Sequence, residues 1–334
     1  MRFELQPSER PEDGLRRLAK ALIDDAIAQV EDPDAESEDA VHEARKDMKK
    51  LRGLLRLVRP AAPDLYKAEN RYFRDAAAHL AVVRDADAAL ETFDSVLERA
   101  RMTMSVEGAA PVGAEADASS LLDDTEPIEL ASVRARLVDY RDEAHAGAGD
   151  VQQRLDEFRA RMLEARKRIP EWRLRETDAS ENDFRLLGPG LKKTYKRGRK
   201  AMGRAYDEPS VEAFHDWRKR TKYLRYQLRL LRPGWPKLLK AQDRAVKELQ
   251  SLLGDDHDLA VLEGLLNHLR EDAPASGVEY EAERVLRAEM RRQSDLLRQR
   301  ARGLGEMVYA ERPKGLKRRL GAYWRQAKRE AHQD

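Results

Sequence analysis

Residues 41–60 and 214–233 are two copies of one segment. The first reads VHEARKDMKKLRGLLRLVRP and the second FHDWRKRTKYLRYQLRLLRP. At an offset of 173, His42 meets His215. Arg45, Lys46, Lys49, Arg52, Arg56, Arg59 and Pro60 meet Arg218, Lys219, Lys222, Arg225, Arg229, Arg232 and Pro233. A chain that repeats itself is built from equivalent supersecondary units, so the repeat bounds the architecture before any local reading is made. Further matches flank it. Gly14-Leu15-Arg16-Arg17 meets Gly190-Leu191-Lys192-Lys193, and Pro33 meets Pro209, at an offset of 176. Arg84-Asp85-Ala86-Asp87 meets Asp255-Asp256-His257-Asp258 at 171. Short insertions and deletions between two homologous halves account for that drift.

Placed on a helix, at roughly 100° per residue, each copy shows two stripes. Ala44, Met48, Leu51, Leu55 and Val58 form an apolar one, matched by Trp217, Thr221, Leu224, Leu228 and Leu231. One residue further on runs a stripe of one sign: His42, Arg45, Lys49, Arg52, Arg56 and Arg59, matched by His215, Arg218, Lys222, Arg225, Arg229 and Arg232. The cations therefore border the buried face, with aliphatic stems free to pack on the core while the heads project into a groove. Each helix stops at Arg-Pro, because the ring forbids continuation. Like charges at i,i+4 repel by a few tenths of a kcal/mol per pair, and a polyanionic ligand would reverse that cost. A core has no use for the same cations twice in one register.

The chain has 334 residues, 38% of them charged and 6% aromatic. Such a composition, rich in Ala, Leu, Arg and Glu, suits a helical bundle. The absence of Cys excludes disulfides, a thiolate nucleophile and Cys-ligated metal, and fits a reducing compartment. No apolar run approaches membrane-spanning length and the N-terminus has no signal-type core, so a cytoplasmic protein without a membrane partner is expected. The net charge of +2 hides segregation. Gly188–Pro233 holds 14 Lys/Arg against 4 Asp/Glu, a surplus of ten, which leaves the rest of the chain with a deficit of eight. A patch so concentrated matters more than the total.

Periodicity predicts an irregular lead over 1–13, then helices from Gly14 to about Val30, through 41–60, and over about 63–100, 129–146 and 150–168. In the second half they fall at 189–205, 211–231, 236–269, 278–305 and 313–330. No stretch alternates long enough for a strand. Residues 105–127 are acidic with Gly and Pro and read as a loop insert, and 177–184 carry turn and cap residues that mark a hinge. The fold expected is all-α. The domains expected are an N-terminal helical repeat over 1–175, with the insert, and a C-terminal repeat over 185–334. A further basic face, Lys193, Arg197, Lys200 and Arg204 with Lys192, Lys196 and Arg199 beside it, lies on the 189–205 helix. Leu191, Tyr195, Gly198 and Met202 mark its core side, with Gly198 placed for close approach.

These residues resemble the conserved-histidine α-helical domain (CHAD) family. The resemblance rests on the twin H-x-x-R-K-x-x-K-x-L-R motif at His42–Arg52 and His215–Arg225. It is supported by the Asp-rich segments at 80–87 and 252–258, by GLKKTYKRGRK and by the terminal RPKGLKRR, and covers nearly the whole chain. It implies two tandem four-helix up-and-down bundles related by a pseudo-twofold, with a central basic groove. It also implies binding of inorganic polyphosphate without catalysis or cofactor, and association with polyphosphate granules. Carried over residue by residue, the ligand set is His42, Arg45, Lys46, Lys49, Arg52 and Arg56 with His215, Arg218, Lys219, Lys222, Arg225 and Arg229. The basic face adds Lys193, Lys196, Arg197 and Lys200. Asp47 stands where the second copy has Arg220, and Lys50 where it has Tyr223, so the first half is expected to bind less strongly.

The chemistry suits the ligand. A cation recurs every helical turn, about 5 Å, along a thread of repeating negative charge. Arg supplies bidentate forks and Lys adaptable point charges. The two histidines offer donors, or simply fix the helix starts. The alternatives are a metal-dependent polyphosphate- or triphosphate-processing enzyme and a general nucleic-acid module. For the first, His257-Asp258 stands alone, no E-x-E-x-K strand appears, the other histidines lack ligand spacing for a metal, and no Ser–His–Asp set is readable. An Asp of this segment is expected to be structural, bonding a neighbouring cation or a helix end, and Asp85 and Asp256 could equally hold the basic helices in position. For the second, base stacking calls for exposed aromatics among the cations, and only Tyr195, Trp217, Tyr223 and Tyr226 qualify by position.

Overall fold

Both apolar stripes are buried as helical phase requires. Ala44, Met48, Leu51, Leu55 and Val58 are at most 1% exposed, and Trp217, Thr221, Leu224, Leu228 and Leu231 at most 3%. In a computed structural model the chain is all-helical. It describes residues 2–32, 34, 37–80, 84–107, 128–147, 149, 151–175, 183–272 and 277–333. The expected acidic insert, beyond residue 107, and most of the expected hinge, 177–182, lie outside the described residues, as does Pro33.

The helices are α1 (Pro11–Glu31), α2 (Ser37–Val58), α3 (Pro63–His79), α4 (Arg84–Glu107), α5 (Ile128–Gly147), α6 (Val151–Arg168), α7 (Phe184–Asp207), α8 (Val211–Leu230), α9 (Pro236–Asp272), α10 (Gly277–Val308) and α11 (Pro313–Glu330). Pro opens α1, α3 and α11 within the first two positions, where its missing N–H costs nothing. Ser210 caps α8 by accepting from the Ala213 N–H at 3.1 Å. Among the described residues there is no strand, and no helix is long and apolar enough to cross a membrane.

Three boundaries depart from expectation. The 63–100 segment is two helices: α3 ends at His79, with Leu80 folding back to the Ala78 carbonyl. The sequence that follows, Ala-Val-Val, places two β-branched residues where the second copy has Leu-Leu-Gly within unbroken α9. Helix α7 starts at Phe184 and carries Pro189 inside, at the cost of a single bond to the Arg185 carbonyl. The N-terminal lead is irregular but packed. Phe3 and Leu5 are buried, the Leu5 N–H donates to the Leu230 carbonyl at 2.9 Å, and Glu4 pairs with Arg232.

The described helices form two compact units that cut across the two sequence halves. The first comprises Met1–Ala81, Asp150–Ser251 and Arg302–Asp334, and the second Val82–Gly149 and Leu252–Ala301. Each half supplies helices to both, because in the first unit α2 packs on α7 and α8 as well as on α1 and α3. Two small residues permit this. A Cβ on Gly53 of α2 would lie 2.9 Å from the Tyr226 Cβ on α8, and one on Gly190 of α7 would overlap the Leu57 carbonyl oxygen. Positions 53 and 226 are equivalent in the repeat and lie against each other. In the second unit, buried Asp256 accepts from Ser294 at 2.5 Å and from Arg298 at 2.8 Å. It therefore plays the structural part, bonding a cation of α10 and not the basic helices. The side chain of Asp85 lies outside the described residues.

Candidate anion-binding site

The close approach at Gly190 sets the first turns of α7 against the end of α2, and the Gly53 contact sets α8 beside both. Their polar edges converge in the first unit on one cavity. It is lined by Arg56 and Arg59 from the end of α2, by Gly190, Lys193, Thr194 and Arg197 of α7, and by Arg220 and Tyr223 of α8. Five of these are cations and none is an acid. The Arg56 guanidinium lies 3.8 Å from the Tyr223 ring centroid and 5.8 Å from that of Tyr66 on α3, and Nη1 donates to the Arg52 carbonyl at 2.8 Å. Arg59 stands 4.6 Å from the Tyr66 centroid. The rings therefore fix both guanidinium planes by cation–π contact.

The cations repel one another, and their protonation shows it. Burial pulls the Arg56 guanidinium below its ordinary pKa, with Arg52 and Arg220 pulling the same way against Tyr223 and Tyr66. Arg197 is lowered by partial desolvation and then by Arg220 and Arg59. Lys193 is lowered chiefly by Arg59, then by desolvation and Arg197. Each charged form is thus disfavoured until something negative arrives.

The other expected ligands fall into three groups. Arg45, Lys49, Arg218 and Lys222 are half-buried along the α2 and α8 stripes, the first two lying two to three turns before Arg56 and the last two within two residues of Arg220. His42 is exposed, whereas His215 is half-buried and its pKa is lowered by burial, then by Lys219 and Arg218. Lys196 and Lys200 are exposed on α7, and among the described residues no acid lies within 4 Å of either. Five more meet identified neighbours. Lys46 pairs with Glu43 at 2.7 Å, Lys219 with Asp216 at 3.8 Å, and Arg225 with Asp243 at 3.2 Å. Arg229 lies 6.0 Å from the Phe3 centroid and Arg52 donates to Asn70 at 3.4 Å.

The one-signed stripe is therefore interrupted at Arg225 by Asp243 of α9 and at Arg232 by Glu4, while acids of the adjoining helix face hold the cations beside it. Asp216 also holds Arg220 at 2.9 Å, and Asp47, 2% exposed, holds Lys50 at 2.5 Å. Burial raises the Asp47 pKa against the pull of Lys50. Gly198 does not admit a helix: a Cβ there would lie 2.5 Å from the Tyr309 hydroxyl, so the glycine makes room for that ring.

Sequence reasoning left Arg59, Arg220, Tyr66 and Tyr223 out of the ligand set. Arg59 stood last in its stripe, where its twin Arg232 is taken by Glu4. Arg220 and Tyr223 are the very positions at which the two copies differ, and that difference was the readable signal. Tyr66 gave none.

Three comparisons bear on identity. The CHAD domain family model matches residues 15–267. No curated protein sequence matches the chain. The crystal structure of the CHAD domain from the plant Ricinus communis matches with a TM-score of 0.54 at 18% identity, covering 89% of this chain and 90% of that one. At that identity the likeness concerns the fold. The family match takes in both histidine-basic segments and all of α7, the three elements that build the cavity. The chain belongs to the CHAD domain family.

Proposed function

We propose that this protein binds inorganic polyphosphate through the α2–α7–α8 cavity, without turning it over, and so associates with polyphosphate granules. One observation carries the reading: five cations from three helices line one cavity that no acid lines, and three of them, Arg56, Lys193 and Arg197, have pKa values depressed by desolvation and mutual repulsion. Folding gains nothing from that arrangement, and a polyanion reverses its cost. The α2 stripe from Arg45 to Arg59 extends the track to about 21 Å. Each charge-assisted contact is worth about 1.5–3 kcal/mol, so five contacts, less the ordering cost, support micromolar affinity or better at low salt.

The tyrosines favour an inorganic chain over nucleic acid. Tyr223 has Arg56 on its face and Tyr66 is flanked by Arg56 and Arg59, so neither offers a free platform to a base. Trp217 is fully buried.

The test is titration of long-chain polyphosphate against single-stranded RNA at several salt concentrations. Polyphosphate is expected to bind more tightly, with log affinity falling by about 0.7 per neutralised phosphate per log unit of salt. Equal affinities would leave only indiscriminate polyanion capture. Metal-dependent phosphate release by the purified protein would replace the reading with an enzymatic one.

A further inference from the structure

The repeat pairs α1 with α7 at the offset of 176, and the two helices treat their cations in opposite ways. On α1 and just before it, Glu9 holds Arg17 at 2.6 Å, Glu12 holds Arg16 at 2.5 Å, Asp13 lies 3.5 Å from Arg16, and Asp24 holds Lys20 at 2.5 Å and Arg166 at 2.9 Å. The equivalent positions in the second copy are Arg185, Gly188, Pro189 and Lys200. All four acids are gone, while the cations Arg16, Arg17 and Lys20 are kept as Lys192, Lys193 and Lys196.

Lys193 turns toward the cavity described above. Lys192, one residue earlier and roughly 100° around the helix, turns elsewhere. It lines a separate open cleft of about 480 Å³ between α7 and α11, with Arg185, Lys314, Lys317, Arg318 and Arg325. Phe184 and Gly321 complete the wall. Gly188 keeps the cleft open where the first copy has a glutamate: a Cβ there would meet Phe184 at 2.6 Å and the Lys317 Cε at 3.1 Å. The nearby described acids are committed to cations outside the cleft, Asp183 to Lys328 and Glu311 to Arg319. Among the described residues, none of the six lining cations has an ion pair within 4 Å.

We propose that the α7–α11 cleft is a second anion-binding site that holds a short run of condensed phosphate, independently of the α2–α7–α8 cavity. Six cations in one concave cleft match several closely spaced charges, which neither a single phosphate nor a flat lipid surface presents. The lining has one aromatic, Phe184, and it is buried, so a nucleobase finds nothing to stack on. The choice of ligand rests on the polyphosphate reading of the first cavity. The two sites share α7 as a common wall, so a long chain engaging both gains affinity from effective concentration alone.

The experiment is calorimetric titration of the full chain with tripolyphosphate and with long-chain polyphosphate, in wild type, K314Q/R318Q, R59Q/R197Q and the quadruple variant. Lys314 and Arg318 are exposed, so their loss leaves the fold intact, which circular dichroism checks. Wild type is expected to take two tripolyphosphates and each double variant one. Long-chain affinity is expected to drop about 100-fold in either double variant. Binding that is unchanged in K314Q/R318Q, or absent from R59Q/R197Q alone, overturns the second site and leaves the first standing. Binding that survives R59Q/R197Q unchanged and vanishes in K314Q/R318Q overturns the first site instead. Two sites that take tripolyphosphate and inorganic sulfate equally show that both clefts read charge alone, which overturns the specific ligand.

Discussion

Arg225 of α8 donates its Nε–H to Asp243 of α9 at 3.2 Å. The equivalent bond in the first copy joins Arg52 to Asn70 at 3.4 Å, with the same spacing of 18 residues. One oxygen-for-nitrogen difference thus decides whether the duplicated arginine is neutralised by the protein. Together with the Glu4–Arg232 pair, it neutralises two cations of the second stripe within the protein. In the first copy, Glu43 and Asp47 hold Lys46 and Lys50 beside the stripe.

Exchanging those partners tests the asymmetry. Asp243→Asn is expected to strengthen polyphosphate binding about threefold to tenfold at a stability cost of about 1 kcal/mol, the scale of a part-buried ion pair. Asn70→Asp is expected to do the reverse. Urea denaturation and a binding isotherm on each variant give both numbers. If both substitutions lower stability and leave affinity alone, the two arginines serve packing only.

A stability–function trade-off is expected at Lys193. Its ammonium is pushed toward the neutral form chiefly by Arg59, and no acid within 4 Å answers it among the described residues. Lys193→Gln removes a repulsive charge, so the melting temperature should hold or rise slightly. Polyphosphate affinity should meanwhile fall about tenfold, the loss of one charged contact. A fall in melting temperature with unchanged affinity would mark Lys193 as structural.

The pH dependence of binding should report His215. Burial, then Lys219 and Arg218, hold its pKa below the ordinary 6.5 in the free protein, so it is neutral at pH 7. Phosphate charge beside it would raise that value, so binding would take up a proton and tighten as pH falls from 8 to 5.5. The free protein should behave oppositely. A histidine depressed in the fold contributes stability above about pH 6.5 that is lost as pH falls through its folded value. Calorimetry in two buffers of different ionisation enthalpy measures the uptake, and His215→Gln should abolish it. Proton uptake that persists in the variant assigns the effect to another group.

How far the sequence reached is clearest at α2 and α8. Their apolar stripes were readable because burial and period coincide: every named position from Ala44 to Leu231 is in the core. The cation stripe was readable as a row of one sign, but not as to which members the protein itself neutralises. Asp243 and Glu4 come from other elements, 18 residues and 228 residues away from their arginines, and a local pattern holds no trace of them. The shape of the cavity was equally out of reach. It depends on Gly190 meeting a backbone carbonyl of a helix 133 positions earlier, at Leu57. Glycine inside a helical pattern announces a close approach without naming what approaches.

Helix α7 offers its own control for that last relationship. Gly to Ala inside a helix ordinarily gains about 0.5–1 kcal/mol. At Gly203, where an added Cβ would find only the Asp207 carboxylate at 3.8 Å, that gain is expected in full. At Gly190 the added carbon would overlap the Leu57 carbonyl, with Arg56 O at 2.9 Å, and neither backbone atom is free to move aside. Overpacking of that kind costs about 1–3 kcal/mol or more, so Gly190→Ala should destabilise outright. Because relief requires α7 and α2 to part, the variant should also lose polyphosphate affinity while still folded at low temperature, as Lys193 and Arg197 draw away from Arg56 and Arg59. Denaturation curves and isotherms for both glycine variants separate the effects. A Gly190→Ala protein as stable and as avid as Gly203→Ala would show that the crossing does not position the site.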